Sequence, residues 1–308
     1  MKELLINIVE KNRKLTLEGK LADYIPALLK ANKNHLGVTL KTEDGKFITY
    51  GEYSQGFTLQ SISKVISFIL AVSENGMDEV FKRVGLDSTD EPFNAFTKLD
   101  LPNVNKPANP MINSGAILTT SLIKGDGDEK FTKILGLTRL MANNESITFN
   151  EEVYLSEKLT GSRNRSMAYL MESKKILSGN VEDTLDTYFK QCAIEVNTRD
   201  LANIAGFISN GLPGLELKGI SNKEMMLLVK GLLLTCGMYN YSAKYTIEVG
   251  IPSKSGVSGG IMAVLPRGGG IGIYSPGLDE NGNSLAGLSL IKDLSKELKL
   301  NLLYNDCI

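Results

Sequence analysis

The sequence has a single histidine, His35, among its 308 residues. A catalytic triad that depends on histidine would have to use this residue, which lies in a polar stretch that is predicted to be a surface turn. If the protein is a hydrolase, we therefore expect its base to be Lys, Tyr, Glu or Asp.

Cysteine is also scarce, with only Cys192, Cys236 and Cys307 in the chain. The three are far apart and odd in number, so they match neither a disulfide framework nor the spacing of a zinc site. Cys192 and Cys236 lie in apolar helical stretches and are predicted to be buried free thiols. We expect no metal at these positions.

Charge of one sign and long hydrophobic runs are missing as well. The 34 basic and 35 acidic residues give a net charge of −1, so no basic field would attract nucleic acid or acidic membranes. No apolar run reaches the roughly 20 residues of a membrane span. The first fifteen residues lack the apolar core of a signal peptide, and there is no nucleotide-binding P-loop or G-x-G-x-x-G motif. These absences predict a cytoplasmic protein without a cofactor and without a nucleic-acid or membrane partner.

The most informative segment that is present runs from Gly56 to Lys64, with the sequence GFTLQSISK. The apolar run that follows it is long enough for a buried helix. If that helix begins near Ser61, Lys64 lies about 60° around its axis and about 4.5 Å along it, so the two side chains share a face. Backbone N–H groups are unpaired at such a helix start, and the helix dipole is positive there. A serine beside a desolvated amine and amide donors is suited to acyl transfer.

The S-x-x-K pattern has little specificity by itself, because it occurs three times in this chain. Ser121 with Lys124 and Ser289 with Lys292 fit ordinary helix positions. Ser61 also fits a helix cap, followed by a solvated lysine in the first turn. A lysine is unfavourable there, because the dipole repels it. From the residues alone, a catalytic role and a capping role for Ser61 are about equally supported.

The order of predicted elements places helices and strands at both ends of the chain and helices between them. Predicted helices cover 4–15, 21–29, 61–73, 77–84, 113–123, 129–142, 165–175, 182–193, 198–209, 222–235 and 284–298, and predicted strands cover 37–40, 47–50, 260–265 and 270–274. This order predicts an α+β fold in which both chain ends build one mixed sheet. We expect a sheet-plus-helix lobe from 1–58 and 246–308, a helical lobe from 59–245, and an active site between them.

A second short motif lies at the expected junction of the two lobes. Lys254-Ser255-Gly256 resembles the K-[ST]-G element that accompanies S-x-x-K in β-lactamases and penicillin-binding proteins. By itself the tripeptide fits a turn that leads into a strand.

Several segments, in order, resemble the serine-dependent glutaminase family, a branch of the β-lactamase-like fold. They are LADYIP at 21–26, LQSISK at 59–64, NPMINSGAI at 109–117, Ser156-Glu157 with Arg163-Asn164, LDTYF at 185–189, CGMY at 236–239 and KSGVSGG at 254–260. The resemblance covers most of the chain and implies hydrolysis of L-glutamine to L-glutamate and ammonia. Homo-oligomers are common in that family, so it also implies a homodimer or homotetramer.

The resemblance further implies residue roles. Ser61 would be the nucleophile, Lys64 its base, and Tyr239 the group that relays a proton to ammonia. The backbone N–H groups of Ser61 and Val257 would bind the oxyanion. The residues that would hold the amino-acid head are Tyr24, Asn113, Glu157, Asn164 and Tyr188.

Taken singly, these side chains also fit structural roles. Asn113 fits a helix cap, Glu157 a solvated loop charge, and Tyr188 and Tyr239 half-buried core positions. Two other functions are open: another S-x-x-K hydrolase, such as a β-lactamase or peptidase, and a glutamine-binding protein without catalysis. Labelling by a fluorescent penicillin would favour the former, and tight glutamine binding without turnover the latter.

Overall fold

The computed structural model describes residues 1–89, 92, 94, 95, 97–101, 103–266 and 268–304. Cys307 lies outside this part of the chain. The helices are α1 (Lys2–Arg13), α2 (Ser63–Asn75), α3 (Met77–Arg83), α4 (Thr97–Asp100), α5 (Asn113–Leu122), α6 (Gly127–Ala142), α7 (Glu151–Thr160), α8 (Ser162–Ser173), α9 (Val181–Cys192), α10 (Thr198–Ser209), α11 (Asn222–Cys236), α12 (Ser242–Glu248) and α13 (Leu285–Glu297). The strands are β1 (Gly37–Lys41), β2 (Phe47–Gly51), β3 (Phe57–Thr58), β4 (Glu195–Val196), β5 (Ser253–Ser255), β6 (Gly260–Val264) and β7 (Gly270–Tyr274).

The main sheet has five strands in the order β2-β1-β7-β6-β5. Strands from the two ends of the chain meet where β1 pairs with β7, which places Val38 opposite Ile273. A sheet built from both chain ends is therefore confirmed. The expectation of a mixed sheet is wrong, because every pairing in it is antiparallel. Five residues separate β1 from β2 and five separate β6 from β7, and such short connections join antiparallel strands.

Helices cover both faces of this sheet. On one face, α1 and α13 bury Leu5, Val9 and Leu290 in a cluster that includes Val38 and Ile273. On the other face lies α10, which approaches closely because β7 has glycines at two positions. A Cβ atom on Gly272 would lie 2.0 Å from the Thr198 carbonyl oxygen, and one on Gly270 would lie 2.4 Å from the Cβ of Ala205. The helix α10 thus links the sheet to the helical part of the chain.

The apolar run after Ser61 forms α2, which is a buried central helix as predicted. Val65, Ile66, Phe68 and Ile69 have no exposed surface and belong to the larger apolar core, which extends through α5, α6 and α9. Because α2 is apolar on nearly every side, its position is set by packing rather than by contact with water.

Three local expectations need correction. Residues 21–29 do not form a helix; a short 3₁₀ turn covers Pro26–Lys30, because the residue before a proline favours an extended backbone. A helix that was not predicted, α7, begins after Asn150, whose side chain accepts a hydrogen bond from the Val153 N–H. Cys192 is a buried free thiol as predicted, but Cys236 is only partly buried. Over the described residues, no helix is both long and apolar enough to cross a membrane.

Candidate active site

Ser61 lies in a 3₁₀ turn, Gln60–Ile62, that leads into α2. The residue before it, Gln60, has a positive φ of 50°, and its carbonyl accepts a hydrogen bond from the Ser63 hydroxyl at 2.7 Å. The N-cap position of α2 is Ile62, so the alternative of Ser61 as a helix cap is wrong. Ser61 is 7% exposed, and its hydroxyl is hydrogen-bonded to the phenol of Tyr239.

Lys64 lies in the first turn of α2 and is completely buried. Its Nζ donates hydrogen bonds to the Met111 carbonyl at 3.1 Å and to Oδ1 of Asn113 at 2.6 Å. Burial lowers the pKa of Lys64 from 10.5 to about 8, although Cys192 and Glu157 act in the opposite direction. The amine can therefore lose its proton near neutral pH.

Asn113 is the first residue of α5, but its side chain makes no capping hydrogen bond. Its Nδ2 instead donates to Oδ1 of Asn164, on α8, at 2.9 Å. The turn before α5 is held by Asn109, whose Oδ1 accepts from the Met111 N–H at 2.9 Å and the Ile112 N–H at 3.2 Å. The alternative of Asn113 as a helix cap is thus wrong, because Ile112 holds the N-cap position, and Oδ1 of Asn113 accepts a hydrogen bond from Lys64 instead.

Glu157 lies on α7 and is 7% exposed, so the alternative of a solvated loop charge is wrong. Burial raises the pKa of Glu157 from 4.5 to about 7, while a hydrogen bond from Gln60 and the charge of Lys64 lower it. The Gln60 amide also donates to the Thr58 hydroxyl at 3.2 Å. Gln60 was not predicted as a site residue, and its only sequence signal was its position next to Ser61.

Tyr188 and Cys192 lie one helical turn apart on α9, and both are buried. The Tyr188 hydroxyl and the Cys192 thiol are hydrogen-bonded to each other. Burial raises the pKa of both groups, so both stay protonated at neutral pH. Cys192 lines the cavity described below. Its spacing of four residues from Tyr188 was the signal in the sequence that placed it on the same helix face.

Tyr239 belongs to the site although it is far from Ser61 in the sequence. It has a positive φ of 54°, and its hydroxyl donates to the Ser255 carbonyl at 3.1 Å. Burial raises the pKa of Tyr239. Lys254 lies beside it, with Nζ 4.3 Å from the centre of the ring.

Lys254 is fully buried on β5 and was not predicted as a site residue, although its K-S-G motif was noted. Its Nζ donates to the carbonyls of Gly237 at 3.1 Å and Ser255 at 2.8 Å. Burial lowers the pKa of Lys254 well below its ordinary value, and the charge of Lys64 adds to this effect. Lys254 and Ser255 of the motif thus lie in strand β5 beside Tyr239, and not in a turn that precedes a strand.

The loop that carries Val257 packs directly on the Ser61 segment. The Ser258 hydroxyl donates to the Thr58 carbonyl at 2.6 Å. A Cβ atom on Gly256 would lie 2.6 Å from the Leu59 carbonyl oxygen, which leaves no room for a side chain there. The close approach packs the loop that carries Val257 against residues 58–62, which include Ser61.

These residues surround a cavity of about 80 Å³. Seven of the eight residues predicted to bind substrate line it: Tyr24, Ser61, Asn113, Glu157, Asn164, Tyr188 and Val257. Tyr24 is 50% exposed, whereas the others are mostly buried. Lys64 and Tyr239 do not line the cavity themselves. Lys64 contacts the lining residue Asn113, and Tyr239 contacts the lining residue Ser61. Glu157 is the only carboxylate among the described lining residues. Within the described ranges, no group of three or more His, Cys, Asp or Glu side chains is arranged to hold a metal ion.

Comparisons with known proteins agree with this arrangement. The sequence model of the glutaminase family matches residues 19–303. "Glutaminase 2" of Clostridium perfringens is 51% identical over 304 residues, which cover 98% of this chain and 100% of that protein. A glutaminase of Fusobacterium nucleatum is 47% identical over 303 residues, with 98% and 100% coverage.

Two solved structures support the fold. A probable glutaminase from Bacillus subtilis, complexed with 6-diazo-5-oxo-L-norleucine, matches with a TM-score of 0.87 and 39% identity over 97% of this chain and 96% of that chain. A covalent complex of a B. subtilis glutaminase, formed by reaction with the same compound, matches with a TM-score of 0.86 and 39% identity over 97% and 98%. The predicted α+β, β-lactamase-like fold is confirmed. Since the family match spans nearly the whole chain and the relatives are of almost equal length, this chain belongs to the glutaminase family.

Proposed function

We propose that this protein hydrolyses L-glutamine to L-glutamate and ammonia through an acyl-enzyme on Ser61. The observation that carries the proposal is the position of the Ser61 hydroxyl. Ser61 lines a cavity in which Glu157 is the only carboxylate among the described residues, its hydroxyl interacts with the phenol of Tyr239, and the buried Lys64 follows three residues later in the first turn of α2.

The cavity matches the head of an amino acid. The ammonium of glutamine needs an anion, which Glu157 supplies. Its carboxylate needs hydrogen-bond donors, which the amides of Asn113 and Asn164 and the hydroxyls of Tyr24 and Tyr188 supply. The side-chain carboxamide then extends from this head toward Ser61.

In the acylation step, Lys64 takes the proton of Ser61 and Oγ attacks the carboxamide carbon. A neutral amine is needed for this, and the lowered pKa of Lys64 provides it near pH 8. The N–H groups of Ser61 and Val257 bind the oxyanion, each contributing roughly 3–4 kcal/mol to transition-state stabilisation. Tyr239 passes a proton to the leaving nitrogen, so that ammonia departs.

In the deacylation step, water attacks the acyl carbon and the bond to Oγ of Ser61 breaks. The proton of the water passes through the pair of Lys64 and Tyr239 to Oγ of Ser61. Glutamate leaves and the site returns to its starting state.

The test uses 6-diazo-5-oxo-L-norleucine, the compound that forms a covalent complex with the B. subtilis relative. Wild type is expected to gain one adduct, which peptide mass spectrometry locates on Ser61. Ser61→Ala is expected to gain none and to lose ammonia release by about 10⁴-fold or more. An adduct on another residue, or full turnover by Ser61→Ala, would contradict the proposal. Labelling by a fluorescent penicillin would instead support another S-x-x-K hydrolase, and tight glutamine binding without turnover a non-catalytic protein.

We also propose a homodimer or homotetramer in the cytoplasm. Two large apolar side chains one turn apart on α7, Leu155 and Leu159, are 47% and 81% exposed, and contact with a second subunit would remove them from water. The described cysteines are free thiols, which fits a reducing compartment. Light scattering on the purified protein measures the oligomeric state, and a monomer at all concentrations would contradict the proposal.

The division of the chain into a sheet-plus-helix lobe (1–58 and 246–308) and a helical lobe (59–245) stays a prediction.

A further inference from the structure

Lys254 is a buried lysine that the proposed reaction does not use. A lysine is almost never fully buried unless it is paired, yet Lys254 has no exposed surface. It lies on β5 with Nζ 4.3 Å from the centre of the Tyr239 ring. Both oxygens that accept hydrogen bonds from this Nζ belong to the backbone, at Gly237 and Ser255. The contacts of the buried amine thus lie around Tyr239.

The Ser255 carbonyl oxygen accepts hydrogen bonds from two side chains. One comes from Nζ of Lys254 at 2.8 Å, and the other comes from the hydroxyl of Tyr239 at 3.1 Å. A carbonyl oxygen has two lone pairs, so the two donors fill its capacity and compete for the same electron density. The bond from the lysine is the shorter one, and the bond from the tyrosine is the weaker of the two.

The proton of Tyr239 is directed at this carbonyl and not at the substrate. Burial raises the pKa of Tyr239, and the hydrogen bond with Ser61 acts in the opposite direction, which is the effect of a serine that donates to the phenol oxygen. The tyrosine in turn donates to Ser255. Tyr239 must therefore release the carbonyl before it can protonate the leaving nitrogen.

Lys254 also fixes the chain just before Tyr239. Its Nζ donates to the Gly237 carbonyl at 3.1 Å, which also accepts from the Ser255 N–H at 3.2 Å. Tyr239 itself has a positive φ of 54°. A residue other than glycine keeps such a backbone conformation only where its surroundings hold it. The bond from Lys254 to Gly237 is one of the contacts that hold this segment against β5.

We propose that Lys254 is a positioning residue for Tyr239. Its amine occupies the Ser255 carbonyl and fixes Gly237, so that the proton of Tyr239 can pass from this carbonyl to the leaving nitrogen. Lys254 does not line the cavity that Ser61 lines, and it acts through the tyrosine. The inference rests on the proposed function, since it requires Tyr239 to protonate that nitrogen.

The proton transfer that Lys254 assists is balanced without a further reactant. The C–N bond of the substrate breaks as the nitrogen takes the proton of Tyr239, and ammonia leaves. The proton that Lys64 took from Ser61 then passes to the phenol oxygen of Tyr239. Lys254 gains and loses no proton in this step.

The experiment compares two substrates that differ in their need for an acid. L-Glutamine requires a proton on its leaving nitrogen, whereas the γ-ethyl thioester of L-glutamate releases a thiolate that leaves without one. The measured quantity is kcat/KM for the formation of L-glutamate from each substrate. Both substrates are assayed on the same protein sample, so the amide-to-thioester ratio does not depend on the fraction of folded protein.

Lys254→Met removes the amine and keeps a side chain of similar length. The amide-to-thioester ratio is expected to fall by about 2- to 10-fold, the size of one neutral hydrogen bond. Lys254→Gln, whose side chain is one bond shorter, is measured in parallel and is expected to lower the ratio as well. The test therefore does not depend on the folding of a single variant. A wild-type ratio in both variants would overturn the proposal.

The matched control is Lys130→Met, on α6. Lys130 is also a buried lysine whose Nζ donates to a backbone carbonyl, that of Ser121 at 3.0 Å, but it does not line the cavity. This variant is expected to keep the wild-type ratio. A fall in the ratio as large as that of Lys254→Met would mean that loss of any buried lysine has this effect, and it would contradict the proposal.

A double-mutant cycle tests whether Lys254 acts through the tyrosine. Tyr239→Phe is expected to lower the ratio by about 10²-fold or more, the contribution of a general acid. Lys254→Met is expected to cause no further fall in the Tyr239→Phe background, because residues that act through one group are not additive. Independent, multiplied effects would show that Lys254 does not act through Tyr239.

The outcomes also separate this inference from the proposed function. If Ser61→Ala loses turnover of both substrates while Lys254→Met lowers both equally, the role of Lys254 is wrong and the acyl-enzyme stands. If Ser61→Ala retains turnover of L-glutamine, the proposed function itself is wrong.

Discussion

The amine nitrogen of Lys64 lies 2.6 Å from Oδ1 of Asn113, and Nδ2 of Asn113 lies 2.9 Å from Oδ1 of Asn164. The proposed base and the two asparagines proposed to bind the substrate thus form one hydrogen-bonded chain. A charge placed on Asn113 would act directly on the proton of Lys64.

Asn113→Asp tests this link. The new carboxylate would lie beside the amine, and an opposite charge at that distance raises the pKa of a lysine by about 1–3. Lys64 would then stay protonated to higher pH. In wild type, kcat/KM is expected to rise with pH near pH 8, as the Lys64 amine loses its proton. In this variant the rise is expected to move up by about 1–3 pH units.

Asn164→Asp is the matched control, because its carboxylate is one side chain further from Lys64. It would repel the substrate carboxylate in the same way but is expected to move the pH profile less. If Asn113→Asp leaves the profile where it is in wild type, Lys64 is not the base.

Glu157→Gln removes the only carboxylate among the described residues of the cavity. A hydrogen bond to a charged group contributes about 1.5–3 kcal/mol, so kcat/KM for L-glutamine is expected to fall by about 10- to 100-fold. The wild-type rise in kcat/KM near pH 7, where Glu157 ionises, is expected to vanish. Glu145→Gln, an exposed position, serves as the control. A pH profile that keeps this rise in Glu157→Gln would show that another group titrates there.

Lys64→Met tests what burial of the amine does to stability. The pKa of Lys64 is lowered from 10.5 to about 8 on folding, so between these values the unfolded chain binds more protons than the folded one. The contribution of this group to the free energy of unfolding therefore rises with pH from about 8 to 10.5. At pH 7 this contribution is about 3 kcal/mol lower than it is above the unfolded pKa.

The variant lacks this contribution. The free energy of unfolding of wild type minus that of the variant, measured in urea, is therefore expected to increase with pH over that range. At pH 7 the variant, although inactive, is expected to be at least as stable as wild type, because replacing a buried charge by an apolar side chain is often neutral or stabilising. A flat difference would mean that the amine is not desolvated.

Gly256→Ala tests the close approach of the Val257 loop to the Ser61 segment. The added Cβ would lie 2.6 Å from the Leu59 carbonyl oxygen, so the loop must move and the Val257 N–H would leave the oxyanion position. Loss of such a donor lowers kcat by about 10²- to 10³-fold, and overpacking lowers stability by about 1–3 kcal/mol.

Gly231→Ala is the control, since a Cβ there meets no atom within 4 Å and lies in the helix α11. It is expected to raise stability by about 1 kcal/mol without changing kcat. Normal turnover by Gly256→Ala would remove Val257 from the mechanism.

Much of the local structure could be predicted because it depends on residues near in sequence. The apolar run after Ser61 forms the buried helix α2, and the predicted strands 260–265 and 270–274 correspond to β6 and β7, which pair with each other. The helix α7 was missed because its buried positions are Val153 and Glu157. A charged residue stands where the apolar stripe of an amphipathic helix would continue.

The sequence by itself determined the family and predicted which residues would carry the chemistry, because the motifs keep a recognisable order along the chain. Only the tertiary structure decided their electrostatic state. The lowered pKa of Lys64 and the raised pKa of Glu157 come from burial by helices that are distant in sequence. Desolvation and cavity shape are properties of packing over long sequence distances, and no local pattern encodes them.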